Sequence, residues 1–143
     1  MAKYTPQTRD DLKRLVDDFG INLGDIDVVN ITDMSYLFKE STRKNFDGIE
    51  QWNVSNLINM REMFCNCRNF NQDISAWNVS KVKDMTYAFA FIKFNQDLSN
   101  WKLDSIEKVA SADPFLGNSS MKQDFKPSPF NKAGFSNNNI NKL

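Results

Sequence analysis

The sequence predicts an α/β repeat solenoid of about four strand-turn-helix units, each 24–26 residues long, behind an N-terminal capping helix. Three observations predict it. First, a phrase recurs: Phe70-Asn71-Gln72-Asp73-Ile74-Ser75-Ala76-Trp77 against Phe94-Asn95-Gln96-Asp97-Leu98-Ser99-Asn100-Trp101, with a copy one residue shorter from Phe46 to Trp52. Second, the register persists downstream. Val54, Val79 and Leu103 are followed by Leu57, Val82 and Ile106, then by Met60, Met85 and Val109, and Phe64 and Phe89 come four residues after each Met. Third, the apolar spacing changes within each unit. Trp77 and Val79 alternate as a strand requires, whereas Val82, Met85 and Phe89 are three and four apart, as on one face of a helix. Units this small bury their apolar faces only by stacking.

The elements follow in order. Thr8 followed by Asp11 resembles a capping box with Asp in place of Glu, and Leu12, Leu15, Val16 and Phe19 share one helical face. Residues 8–18 are therefore expected to form an amphipathic helix that ends near Gly20 and covers the first repeat. The first copy lacks the Trp but keeps the frame in Leu23, Ile26, Val28, Ile31, Met34 and Phe38. In the third copy, Ile74-x-x-Trp77-x-Val79-x-x-Val82 fits the apolar frame of a leucine-rich repeat. The asparagine expected after the strand is not consistent, since Asn56 and Lys81 stand nearby, which indicates a variant repeat. Asp33, Asn59 and Asp84 precede each Met and are expected to cap the helix that starts there. As calcium ligands they are too few, with one acid per repeat and Asn in the middle copy.

The last copy decays. Val109 replaces Met, Asp113-Pro114-Phe115 interrupts the helical pattern, and Gly117-Asn118-Ser119-Ser120 reads as loop. Phe125, Phe130 and Phe135 then stand in a polar tail that either packs back as a cap or awaits a partner, and Ser136 to Asn139 reads as disordered. The expected organisation is a capping helix over 1–20, repeats over 21–116, and a C-terminal cap or flexible tail over 117–143.

Composition narrows function. Eighteen basic and eighteen acidic residues leave no net charge, which weighs against a field that attracts nucleic acid or anionic lipid. Histidine is absent, so the commonest general base and metal ligand are missing. The two cysteines, Cys65 and Cys67, form no disulfide framework, and Cys65 has no histidine to activate it. No apolar stretch is long enough to span a membrane, and the start has no signal-peptide core. The expectation is a chain that is not an enzyme and needs no metal or cofactor. The missing signal favours an intracellular place.

The phrases Phe70 to Met85 and Asn59-Met60-Arg61-Glu62-Met63-Phe64-Cys65-Asn66-Cys67-Arg68-Asn69-Phe70 resemble the Mycoplasma-type lipoprotein repeat of unknown function, a BspA-like bacterial relative of leucine-rich repeats. The resemblance covers about Leu23 to Ser111. It implies a right-handed repeat solenoid and no enzyme activity. Members are often surface proteins, many adhesive. Cys67 stands where the family usually has a small Ala, which implies core packing.

The expected function is non-catalytic binding of another protein. The alternatives within that class are an intracellular inhibitor or immunity-type protein and a bacterial surface adhesin. In the leucine-rich frame, three rows face outward from the strands: Asp25, Gln51, Ala76 and Asn100; Asp27, Asn53, Asn78 and Lys102; Val29, Ser55, Ser80 and Asp104. These polar rows are the candidate partner face, centred on Asn53 and Asn78. The Phe-bearing tail, Phe125 to Phe135, is the rival site.

Overall fold

The computed structural model describes residues 2–107 and 112–132. One α-helix, α1 (Arg9–Asp17), leads into layers of successive turns. These are punctuated by single-turn 3-10 helices at Leu23–Asp25, Ile49–Gln51 and Gln123–Phe125. The expected strand-turn-helix solenoid of leucine-rich-repeat type is therefore incorrect. Among the described residues there is one α-helix, and strand pairing is limited to three isolated parallel bridges, Tyr4 with Ile26, Asp33 with Asn59, and Asn59 with Asp84.

The helices fail for a reason visible in the backbone. Tyr36, Glu40, Glu62, Asn66, Tyr87 and Phe91 all have positive φ, between 52° and 60°. Two left-handed residues four positions apart in each segment break the run of bonds from each N–H to the carbonyl four residues before it. The N–H groups point along the stack instead. Met34, Tyr36, Phe38 and Glu40 donate to Asn59, Arg61, Met63 and Cys65 of the next layer. Met60, Glu62, Phe64 and Asn66 donate likewise to Asp84, Thr86, Ala88 and Ala90. Asp33, Asn59 and Asp84 do accept at the start of this segment, through Oδ1 from the N–H two residues on. They cap turns and not helices.

The strands fail because the chain turns at both ends of each extended run. Trp52 and Val54 point inward as expected, but the Trp52 N–H folds back to the Ile49 carbonyl, and the Leu57 N–H to that of Val54. What joins the layers here is the indole. Trp52, Trp77 and Trp101 donate Nε1–H to the carbonyls of Leu23, Ile49 and Ile74, one layer earlier, at 2.8, 3.0 and 3.1 Å.

The core is a set of side-chain columns. The Trp rings stack at 6.4 and 6.5 Å, within 6° of parallel. Phe38, Phe64, Phe89 and Phe115 form a second column at 5.4–5.6 Å. Phe46, Phe70 and Phe94 form a third. Phe115 thus extends the second column, although Pro114 beside it ends the helical pattern. Gly48, at φ 94°, lies against Gly24 of the first layer, and a Cβ there would come within 2.5 Å of that backbone. Only glycine allows the two layers to close so tightly.

The N-terminal end has its own cover. Thr8 caps α1 through Oγ1, accepting from Asp11 N–H, and Leu12 and Val16 are buried. Phe19 is 52% exposed, contrary to expectation, because it lies past the helix end. The layer's outward carbonyls would lack donors here. Arg9 Nε bonds the Ser35 carbonyl and Lys13 Nζ that of Leu37. Arg43, 2% exposed, donates to the carbonyls of Val16, Asp18, Ile21 and Asn45 and so ties helix to stack. At the other end, Met121 and Phe130 join the core, and the Leu98 N–H bonds the Phe125 carbonyl.

Cys67 is fully buried, and burial pushes its thiol up to about 12 from the ordinary 9.0. The unfolded chain releases this proton first as pH rises. Stability from this group is therefore intact below pH 9 and falls above it, by about 1.4 kcal/mol per pH unit up to about pH 12. Urea titrations of wild type and Cys67→Ala from pH 8 to 11 should diverge in that sense. Parallel curves would show the thiol to be as ionisable folded as unfolded.

Candidate functional site

The outward rows expected from the sequence lie on one side of the stack, and their central members are engaged with their own backbone. Asp27, Asn53 and Asn78 accept through Oδ1 from the N–H of Val29, Ser55 and Ser80, at 3.1 Å each. These residues recur because each layer needs the same turn. Gln51, Ala76, Asn100, Lys102 and Asp104 are exposed, and Ser55 and Ser80 are half-buried. Asp25 is partly covered by the N-terminal segment: its carbonyl accepts from Lys3 and Tyr4, and its carboxylate pairs with Lys3 at 3.5 Å. Asn56, outside these rows, bonds the Val29 carbonyl of the layer before it at 2.8 Å.

The tail residues are placed differently from one another. Phe130 is buried at 1% exposure and Phe125 packs half-buried against the core. A partner would have to displace both. Phe135, with Ser136 to Asn139, lies outside the described residues, as do Val109 and Ser111.

A third surface did not emerge from the sequence. The left-handed residues project from one edge of the turn segments and form a turn face. Tyr36 is 38% exposed and Phe91 53%, and Tyr87 is half-buried. Arg61, half-buried, and Arg68, exposed, accompany them. The signals were a Tyr two residues after Met34 and Met85, and a Phe two residues after Phe89. The periodicity of the inward Met and Phe positions says nothing of them, because they lie between those positions.

Charges run across the layers of this face. Lys39 pairs with Glu62 at 2.7 Å, and Arg61 with Asp84 at 3.7 Å. The bond to Glu62 holds Lys39 above its usual value. Burial works to lower Arg61, but Tyr36, Asp84 and Glu62 outweigh it and leave it raised. Three shallow cavities open here, and all three are lined by Asn66 and Arg68.

Burial raises both thiols, so neither Cys65 nor Cys67 is a ready thiolate nucleophile at neutral pH. Among the described residues, no group of three His, Cys, Asp or Glu side chains is placed to hold a metal ion. No helix among them is long and apolar enough to cross a membrane.

A repeat-built stack with a polar and aromatic turn face defines a class of layered repeat proteins. Within it, the family model described as Mycoplasma protein of unknown function, DUF285, matches residues 10–128, and the chain belongs to that family. No curated protein and no solved structure matches the chain.

Proposed function

We propose that the chain is a non-catalytic module that binds another protein through its turn face. The carrying observation is a set of side chains there, exposed except for the half-buried Arg61. Tyr36, Phe91, Arg61 and Arg68 are of the aromatic and Arg types in which interface energy concentrates, and a packed stack holds them in place. The outward rows offer no such anchor. The BspA-like resemblance, with its many adhesive members, favours the same class without choosing between a surface adhesin and an intracellular inhibitor.

Capture with three baits tests this. The wild type is compared with Tyr36→Ser/Phe91→Ser and with Asn53→Asp/Asn78→Asp, in bacterial and host-cell lysates read by mass spectrometry. Aspartate keeps the turn bond, as Asp27 does in the first layer, so the third bait stays folded with altered outward rows. The expected result is a partner retained by wild type and by the Asp variant and lost by the turn-face variant. A partner lost only by the Asp variant would move the site to the outward rows. No specific partner on any bait would count against the binding reading itself.

A further inference from the structure

One cavity on the turn face differs from its neighbours in charge. It measures about 500 Å³ and lies among Asn66, Arg68, Phe91, Lys93, Gly117 and Ser119. Among the described residues, no carboxylate lines it. Elsewhere on this face the cations are matched by acids, Lys39 by Glu62 and Arg61 by Asp84. Arg68 is not: among the described residues it bonds the side-chain amide of Asn66 and no acid. Lys93 has no ion pair among them either. Beside these two cations stands Phe91, the most exposed large apolar side chain of the described residues, at 53%. Its ring is seated against Gly117, where a Cβ would come within 2.4 Å of it. Gly117 thus leaves room for the ring and keeps it at the cavity wall.

We propose that this cavity takes an acidic peptide segment, with a carboxylate side chain at Arg68 and Lys93 and an adjacent apolar or aromatic side chain on Phe91. The inference rests on the reading of the turn face as a protein-binding face and adds the chemistry of the partner. Unpaired cations beside an exposed aromatic ring complement a carboxylate next to an apolar group. A nucleic acid fits the surroundings less well. The adjoining cavity shares Asn66, Arg68 and Phe91 but adds Glu40 and the Lys39–Glu62 pair, so its added charge is net negative and disfavours a chain of phosphates running along the face. A peptide with one or two carboxylates can avoid them.

The test is panning of a phage-displayed random peptide library on the full chain, followed by fluorescence anisotropy with the enriched peptide. Enriched sequences should carry Asp or Glu beside Phe, Leu, Tyr or Trp. Binding should weaken at least about tenfold in Arg68→Glu/Lys93→Glu, and also with rising salt. It should persist in Asn53→Asp/Asn78→Asp. A tryptophan-fluorescence melt on each variant separates lost binding from lost folding. Enrichment of peptides without acids, no enrichment, or indifference to the charge reversal would overturn the proposal. So would tighter binding of a single-stranded oligonucleotide than of the peptide. Loss of binding in Phe91→Ser with no effect of charge reversal would overturn the acidic class while leaving the turn face as the binding face.

Discussion

Trp77→Ala should cost about 3–5 kcal/mol of unfolding free energy, read from urea titration, and should lower the melting temperature as a single cooperative transition. The ring is 4% exposed and stacks between Trp52 and Trp101, with Phe64 at 6.4 Å. Its removal opens a cavity that touches three layers. It also takes the indole N–H from the Ile49 carbonyl, a bond between residues 28 apart in the chain. Trp77→Phe separates these contributions. It keeps most of the ring contact and loses the hydrogen bond, which alone contributes about 1 kcal/mol. An Ala variant as stable as wild type would mean that the indole column is not what couples the layers.

Arg43→Met should be nearly as damaging, at about 3–5 kcal/mol, although it introduces an apolar side chain at a buried position. Methionine fills much of the volume but offers no donors, and four carbonyls lose their partner. Three of them, Val16, Asp18 and Ile21, belong to the end of α1 and the segment after it. The loss should therefore show first as release of that helix, in faster amide exchange at Leu12 and Val16 than in the layers. Burial lowers the Arg43 pKa, while Asp18 and Asp17 pull it back up. Arg43→Lys should recover only part of the stability, because an ammonium cannot present the planar fork that reaches several carbonyls at once. Uniform exchange throughout the chain would show that helix and stack unfold as one unit.

The repeat was legible because each layer needs the same inward residues. Phe70 and Phe94, or Trp77 and Trp101, recur because each ring sits on its counterpart. The first helix was legible too, since Thr8 and the spacing of Leu12 and Val16 report local structure. The path of the backbone between the columns was not. Met60 and Phe64 are four apart, and successive turns bury that pair as well as a helix would. The deciding feature is the positive φ at Tyr36, Glu40, Glu62, Tyr87 and Phe91. None of these residue types favours it, and within the described turn segments only Asn66 and Gly117 announce it. Interlayer hydrogen bonds hold the others there against a cost of about 1–2 kcal/mol each.

The same gap explains the site. Asn53 and Asn78 are polar and periodic, which in the sequence marks them as a partner face, while in the structure their Oδ1 atoms serve their own turns. Periodicity marks what every layer needs in order to fold. Phe91 and Arg68 belong to no strict repeat, since Asn66 and Gly117 occupy the positions equivalent to Phe91, and Lys93 is equivalent to Arg68 only in charge. Exposed side chains that break the repeat are better candidates for function than those that keep it.

Turn-built layers, whose left-handed residues create the turn face, can be tested directly by nuclear magnetic resonance. Backbone couplings should give positive φ at Tyr36, Glu62 and Tyr87, with interlayer Overhauser contacts from the Met34 amide to Asn59 and from the Met60 amide to Asp84. Helical couplings through residues 60–66, with contacts from each residue to the fourth beyond it and none between layers, would contradict such an architecture.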